Sequence, residues 1–232
     1  MAQFMLPIIV SQPKIAVFDC DGTLWTNNSG EEFFYWSMEQ GLVSAEVEKW
    51  ARQRYEDYRE GNVGEEEMCG EMTTMYAGVT VAEMEKAAAK FFAEYVKPNY
   101  FDEMRLLTNA LATKGCELWA VSSTNEWVIR EGIKDFGIPS QNVLAATAEC
   151  VKGIVSEKLT RMPSGEGKAV AIREVIGRPV DAVFGNSIHD AAMMRLAKKA
   201  YAVNPNPDLE VIAQEKGWQV YWPEAMRKTA SR

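Results

Sequence analysis

Four places in this 232-residue chain carry side chains that could do chemistry together. The run Ile15-Ala16-Val17-Phe18 reads as a strand buried on both faces, and it ends on two carboxylates, Asp19 and Asp21. Gly22 lets the chain turn there and Thr23 adds a hydroxyl. Two close carboxylates repel each other unless a cation lies between them, and hard oxygen ligands favour Mg²⁺. The second place is Ser122-Ser123-Thr124-Asn125, after the apolar stretch that ends at Val121. The third is Lys168, and the fourth is Asn186 and Asp190, just beyond Ala182-Val183-Phe184. An acid pair, a hydroxyl, a lysine and further oxygen ligands describe phosphoryl transfer, with a carboxylate as nucleophile and Mg²⁺ and lysine offsetting the phosphate charge.

Taken singly, each residue has an ordinary structural use. Asp-Gly is a common turn, Ser122 would cap a strand end, Lys168 would be a solvated helix residue and Asn186 a turn residue. Those uses leave unexplained why the sets follow successive strands. In a parallel α/β sheet, ligands bind outside the carboxyl ends of the strands. Asp19 and Asp21, Ser122, and Asn186 and Asp190 would therefore share one edge, and Lys168 opens a helix that can reach it.

The elements that must position them alternate. A surface arm over residues 1 to 13 precedes the first strand. Helices then follow in succession: Ser29 to Gly41, with Ser29-Gly30-Glu31-Glu32 as a capping box; Ser44 to Gly61; Gly64 to Ala77; and one from Thr80 that ends before Pro98, with Thr80-Val81-Ala82-Glu83 as another box. No strand pattern interrupts residues 29 to 97. The expected organisation is an α/β core over 1–27 and 98–232, with a small helical bundle over 28–97 inserted in it. Strands at 117–121, 143–147, 182–184 and 200–203 alternate with helices, and Cys150 to Leu159 reads as a hairpin around Lys152-Gly153. The fold class is α/β, a doubly wound parallel sheet with a helical insert.

Composition narrows the partners. A net charge of −8 argues against nucleic acid and anionic membranes. Cys20, Cys69, Cys116 and Cys150 are scattered without a metal-binding spacing, which fits buried thiols in a reducing cytoplasm. The apolar stretch Phe4 to Val10 is short, holds Pro7 and has no preceding basic residue, so neither a signal peptide nor a membrane span is expected. The chain is expected to be a cytoplasmic monomer or homodimer.

The motifs resemble those of the haloacid dehalogenase-like hydrolase superfamily. Asp19-Cys20-Asp21-Gly22-Thr23 is similar to its DxDGT motif, Val121-Ser122 to the second, Lys168 in Gly165-Glu166-Gly167-Lys168 to the third, and Gly185 to Asp190 to the fourth, usually GDxxxD. The match runs from Lys14 to about Trp222, and the helical insert resembles the cap of the phosphoserine phosphatase-like branch. The resemblance implies a Mg²⁺-dependent phosphatase of a small phosphorylated metabolite. It makes Asp19 the nucleophile and Asp21 the general acid/base, with its backbone carbonyl on the metal. Ser122 and Lys168 would hold the phosphoryl oxygens, and Asn186 and Asp190 would complete the metal site. Thr23, Ser123 and His189 fall among the groups expected to contact substrate.

The chain departs from that pattern. Asn186 stands where the fourth motif usually has aspartate, removing one negative charge. His189 replaces an asparagine. Where phosphoserine enzymes carry a glutamate and an arginine for the amino acid, this chain has Asn28 and Met72, with Glu31 and Arg59 nearby. The insert is rich in Trp36, Trp50, Tyr55 and Tyr58, next to Glu65, Glu66 and Glu67. Aromatic residues at helical spacing are usually core, but with the acids they also describe a pocket for an ammonium group, for which Trp36 is the first candidate and Trp25 the second. A phosphotransferase of the same superfamily, or a phosphate-binding regulatory protein with a weakened site, stands as the alternative.

Overall fold

The computed structural model describes residues 1–227; residues 228–232, the end of the expected core segment, lie outside the described residues. The central element is β1 (Ile15–Phe18), with all four residues buried. Before it, the expected arm is a helix, α1 (Ala2–Val10), which tolerates Pro7 near its end. After β1 come α2 (Ser29–Glu39), α3 (Ala45–Arg59), α4 (Glu65–Thr74) and α5 (Val81–Phe91), and a wide π turn then carries the chain on through Phe92–Val96. The alternation resumes with α6 (Asp102–Thr113), β2 (Glu117–Asn125), α7 (Glu126–Gly132), β3 (Val143–Val151) and β4 (Ile154–Arg161). It ends with α8 (Glu166–Ala171), β5 (Val180–Gly185), α9 (Ala191–Met194), β6 (Ala197–Val203), α10 (Pro207–Lys216), β7 (Gln219–Tyr221) and α11 (Glu224–Arg227).

The seven strands form one sheet in the order β4-β3-β2-β1-β5-β6-β7. Only β4 is antiparallel, paired to β3 across a turn in which Lys152 and Gly153 have φ of 52° and 78°. The chain winds to one side of β1 through β2 and to the other through β5. That reversal places a topological switch point at the carboxyl end of β1.

Alternate residues of each strand face opposite layers. On one face Phe18 pairs with Phe184, and Phe184 with Tyr201, as stacked rings 4.4 and 4.7 Å apart. Phe4 of α1 ends this row, stacked 3.9 Å from Tyr221 and edge-on to Tyr201. On the other face Val17, Val121, Val183 and Ala202 pack with residues of α8, α9 and α10. The first layer is continuous with the helical insert: Phe18, Trp25, Phe33, Tyr76, Phe91 and Phe92 belong to one apolar cluster.

Ser44 caps α3 and Thr80 caps α5, the latter as the full reciprocal box with Glu83. The cap of α2 differs from expectation. Asn28, not Ser29, accepts the Glu31 N–H, and the Ser29 N–H donates instead to the carboxylate of Asp21 at 2.9 Å.

Phe4 tests the packing of α1. Phe4→Ala removes a ring that is almost wholly buried and is expected to cost about 3 kcal/mol. The readout is the urea midpoint; an unchanged midpoint would show that α1 does not belong to the folded unit.

Candidate active site

The carboxyl ends of β1, β2, β5 and β6 open into one cavity of about 470 Å³. Its wall includes Asp19, Asp21, Ser122, Ser123, Lys168, Asn186 and His189. These residues come from segments up to 170 positions apart (19 to 189), and the sheet alone brings them together.

At the floor lies a row of buried charge. Lys168 Nζ donates to Asp19 Oδ1 at 2.7 Å and to Asp190 Oδ1 at 2.6 Å. Thr23 Oγ1 donates to the other Asp19 oxygen at 2.8 Å. Burial, together with the Asp190 carboxylate behind it, raises the Asp19 carboxyl to about 7, while Lys168 and Thr23 pull it back. Burial alone would disfavour a charged Lys168, but its two carboxylate partners outweigh this and the net shift is upward.

Asp190 takes a different part from the one the motif implied. Its second oxygen accepts the backbone N–H groups of Asn186 and Ser187 at 2.9 and 3.0 Å, and it does not line the cavity. Lying behind the cavity wall, Asp190 anchors Lys168 and the loop. Thr23 likewise is buried beneath the cavity wall and holds Asp19, so it does not face a substrate.

Asp21 is gripped on both oxygens. Trp25 Nε1 and the Ser29 N–H donate to Oδ1 at 2.6 and 2.9 Å, and Thr124 Oγ1 donates to Oδ2 at 2.7 Å. Thr124 reaches it because β2 leaves its ladder there: Ser122 pairs with Ala145, but Asn125 pairs with the very next residue, Ala146. Ser123 and Thr124 are thereby extruded over the sheet edge. The sequence showed Thr124 as one of four polar residues in a row, with nothing to mark it as the partner of Asp21.

The oxygens that could accept a hard cation are the Asp19 carboxylate, the Asp21 backbone carbonyl and the Asn186 side-chain amide. Asn186 packs directly over Gly22, where an added Cβ would lie 2.0 Å from its amide nitrogen. Among the described residues, no three acidic, histidine or cysteine side chains cluster as a metal site. A set in which one donor is an amide and another a carbonyl is consistent with that.

The remaining expectations divide. Ser122 and Ser123 line the cavity as expected. His189 also lines it, but its Nε2 forms an ion pair with Glu65 of α4 at 2.5 Å. The other Glu65 oxygen accepts from Ser164 Oγ at 2.8 Å, so Glu65 ties the insert to the core. Trp36 is not on the cavity wall: it is buried between Phe33 and Phe91, with Lys90 over its ring. It shares the apolar face of α2 with Phe33 and is core. Trp25 is fully buried and serves Asp21. Arg59 is exposed and turned to Glu56, away from the cavity.

The chain belongs to the haloacid dehalogenase-like hydrolase family, which its residues 16–195 match. Among its relatives, a histidinol-phosphatase of Neisseria meningitidis serogroup C is 28% identical over 218 residues, covering 89% of this chain and 97% of that protein. Phosphoserine phosphatase SerB1 of Mycobacterium tuberculosis is 28% identical over 159 residues, covering 66% of this chain but only 51% of that longer protein. A solved structure of a protein of unknown function from Bordetella pertussis Tohama I has the same fold, with a TM-score of 0.78 over 89% of this chain and 97% of its own, at 22% identity. Among the described residues no helix is long and apolar enough to cross a membrane.

Gly185 tests the locked floor. A Cβ there would lie 2.6 Å from Asp190 Cβ, so Gly185→Ala must displace the partner of Lys168. Relief of backbone freedom would stabilise the chain by about 0.5 kcal/mol, whereas overpacking costs about 1–3 kcal/mol. A lowered melting temperature is expected; a raised one would mean that Asp190 is free to shift.

Proposed function

We propose that this protein is a Mg²⁺-dependent phosphatase that hydrolyses a small phosphomonoester through an aspartyl-phosphate on Asp19. The observation that carries this is the buried Asp19–Lys168–Asp190 row with Asp21 fixed beside it on one cavity wall. An Asp19 oxygen attacks phosphorus and the ester oxygen leaves, taking a proton from Asp21. Asp21 then draws a proton from water, which attacks the aspartyl-phosphate and releases inorganic phosphate. Lys168 and the Ser122 hydroxyl hold the phosphoryl oxygens. The residues able to hold Mg²⁺ are Asp19, Asn186 and, by its backbone, Asp21; the ion would supply positive charge against the repulsion between phosphate and carboxylate.

Residues 28–97 act in this reading as a cap over the core formed by 1–27 and 98–232. The ester to test first is L-histidinol phosphate, because the relative of that activity matches nearly its whole length. Phosphoserine is the second, by the SerB1 likeness. The Asn186 substitution favours one further reading, a site too weak in metal for turnover that binds phosphate only.

Two experiments separate these. Asp19→Asn keeps the shape of the side chain and removes its charge; turnover of p-nitrophenyl phosphate in Mg²⁺ is expected to vanish while the melting profile persists. A variant retaining a tenth of wild-type turnover would remove Asp19 as nucleophile. Asn186→Asp adds a charge beside the metal position and is expected to lower the Mg²⁺ concentration for half-maximal activity. If metal dependence does not move, Asn186 is not a ligand; if wild type turns nothing over and the variant does, the phosphate-binding reading is correct.

A further inference from the structure

We infer that the cavity selects esters whose leaving group carries an organic cation, and that Glu31, Tyr55 and Tyr58 form the subsite. The inference rests on the phosphatase reading and adds the part of the substrate that the phosphoryl machinery does not touch.

The first observation is where charge faces. The cavity wall holds Glu31 and Glu65 from the insert but no arginine. Its one lysine, Lys168, is spent between Asp19 and Asp190, and its one histidine is paired to Glu65. Glu67 and Glu71 are taken by Arg54 outside the wall. Glu31 has no such partner among the described residues; it accepts from Asn28 Nδ2 at 3.2 Å. The cavity wall therefore presents Glu31 without a cationic partner among the described residues, and a carboxylate on the leaving group finds no unpaired cation on it.

The second observation is the aromatic surface beside Glu31. Tyr55 and Tyr58 both line the cavity, with ring centroids 5.6 Å apart and planes inclined at 60°. Tyr55 is fixed by stacking on Phe34 at 5.2 Å and by an edge contact with Tyr35. Its hydroxyl is raised in pKa by burial and by its hydrogen bond to Glu31, and that of Tyr58 by burial, Glu65 and Glu31. Two tyrosine rings and a carboxylate thus line the same cavity. Such a wall attracts ammonium or imidazolium through ring quadrupole and charge together.

The third is position. Glu31 stands two residues after Ser29, whose N–H holds Asp21. Asp21 and Glu31 line the same cavity, so a group released by proton donation from Asp21 shares that space with Glu31. This replaces Trp36, which is core, as the recognition element.

The test compares isosteric esters that differ only in charge: phosphoethanolamine against n-propyl phosphate, and phosphocholine against 3,3-dimethylbutyl phosphate, with p-nitrophenyl phosphate as reference. The charged member of at least one pair is expected to have a kcat/KM about tenfold higher, as for a partly desolvated cation over aromatic faces. Glu31→Gln and Tyr58→Leu should each shrink that ratio, while Tyr58→Phe, which keeps the ring, should preserve it. Glu31→Gln is isosteric, so its ratio is readable even if Tyr58→Leu does not fold. Equal rates within both pairs, a ratio untouched by Glu31→Gln, or phosphoserine surpassing phosphoethanolamine would each overturn the subsite while p-nitrophenyl phosphate turnover leaves the phosphatase reading standing. No turnover of any ester, including p-nitrophenyl phosphate, would bring down both.

Discussion

A lysine ammonium sealed between two carboxylates sets the terms for the rest of this molecule. Lys168 is 3% exposed and Asp190 is fully buried. A charge held that far from water is tolerable only with partners at hydrogen-bond distance, and removing one partner of such a set typically costs about 3–5 kcal/mol. The row therefore has to be built before the site can exist. It requires β1 beside β5, because Asp19 ends one and Asp190 follows the other. It also requires α8 to start where it does, two residues before Lys168. The row sets two carboxylates against one ammonium, so the position of each group depends on the other two.

Close approach is the second constraint, and it falls on glycines. Gly185 leaves room for Asp190, and Gly22, at φ +74°, leaves room for Asn186. Gly30 lies in a helix, where alanine would be favoured by about 1 kcal/mol, yet a Cβ there would meet Thr124 Oγ1 at 2.5 Å. That hydroxyl is the one that holds Asp21. At each of the three positions the missing side chain is matched by a polar group of the cavity or its floor. The local conformational loss is the condition for packing polar groups against backbone without a water between them.

Much of this could be read from the residues, and the omissions share a cause. The strands were legible because a buried parallel strand is an unbroken apolar run, as in Ile15–Phe18 and Ala182–Phe184. The helices of the insert were legible from caps and terminating glycines. The strand Gln219–Tyr221 was not, because three residues with one buried side chain give no period to detect. The helix Ala2–Val10 was not legible either: it has no side-chain cap at its start, and Pro7 lies inside it. At the site, the set after each strand was legible, since a polar residue directly after an apolar run is local information. The division of labour was not. Asp190 and Thr23 carry the same side-chain chemistry whether they face the cavity or hold a neighbour. Only the third dimension distinguishes them, as it does Trp36 among rings from Tyr55 and Tyr58 on the wall.

The insert meets the core through two kinds of contact that respond differently to water. Behind the cavity, Trp25 sits edge-on to Phe92, in one cluster with the sheet face. At the cavity itself, Glu65 reaches Ser164 and His189. Farther along, the hairpin of β3 and β4 adds a short ladder to the insert: Val155 N–H donates to Val79 and Gly78 N–H to Val155, both at 2.9 Å. Parting the rings would expose apolar surface with nothing to replace it, whereas water can replace the partners of Glu65 at small net cost. Any motion that widens the cavity for a substrate therefore has to break the Glu65 contacts first and turn about the ring contacts. Glu65 starts α4, and Tyr55 and Tyr58 lie on α3, the helix before it. The same movement that frees Glu65 would shift the aromatic wall relative to Asp21.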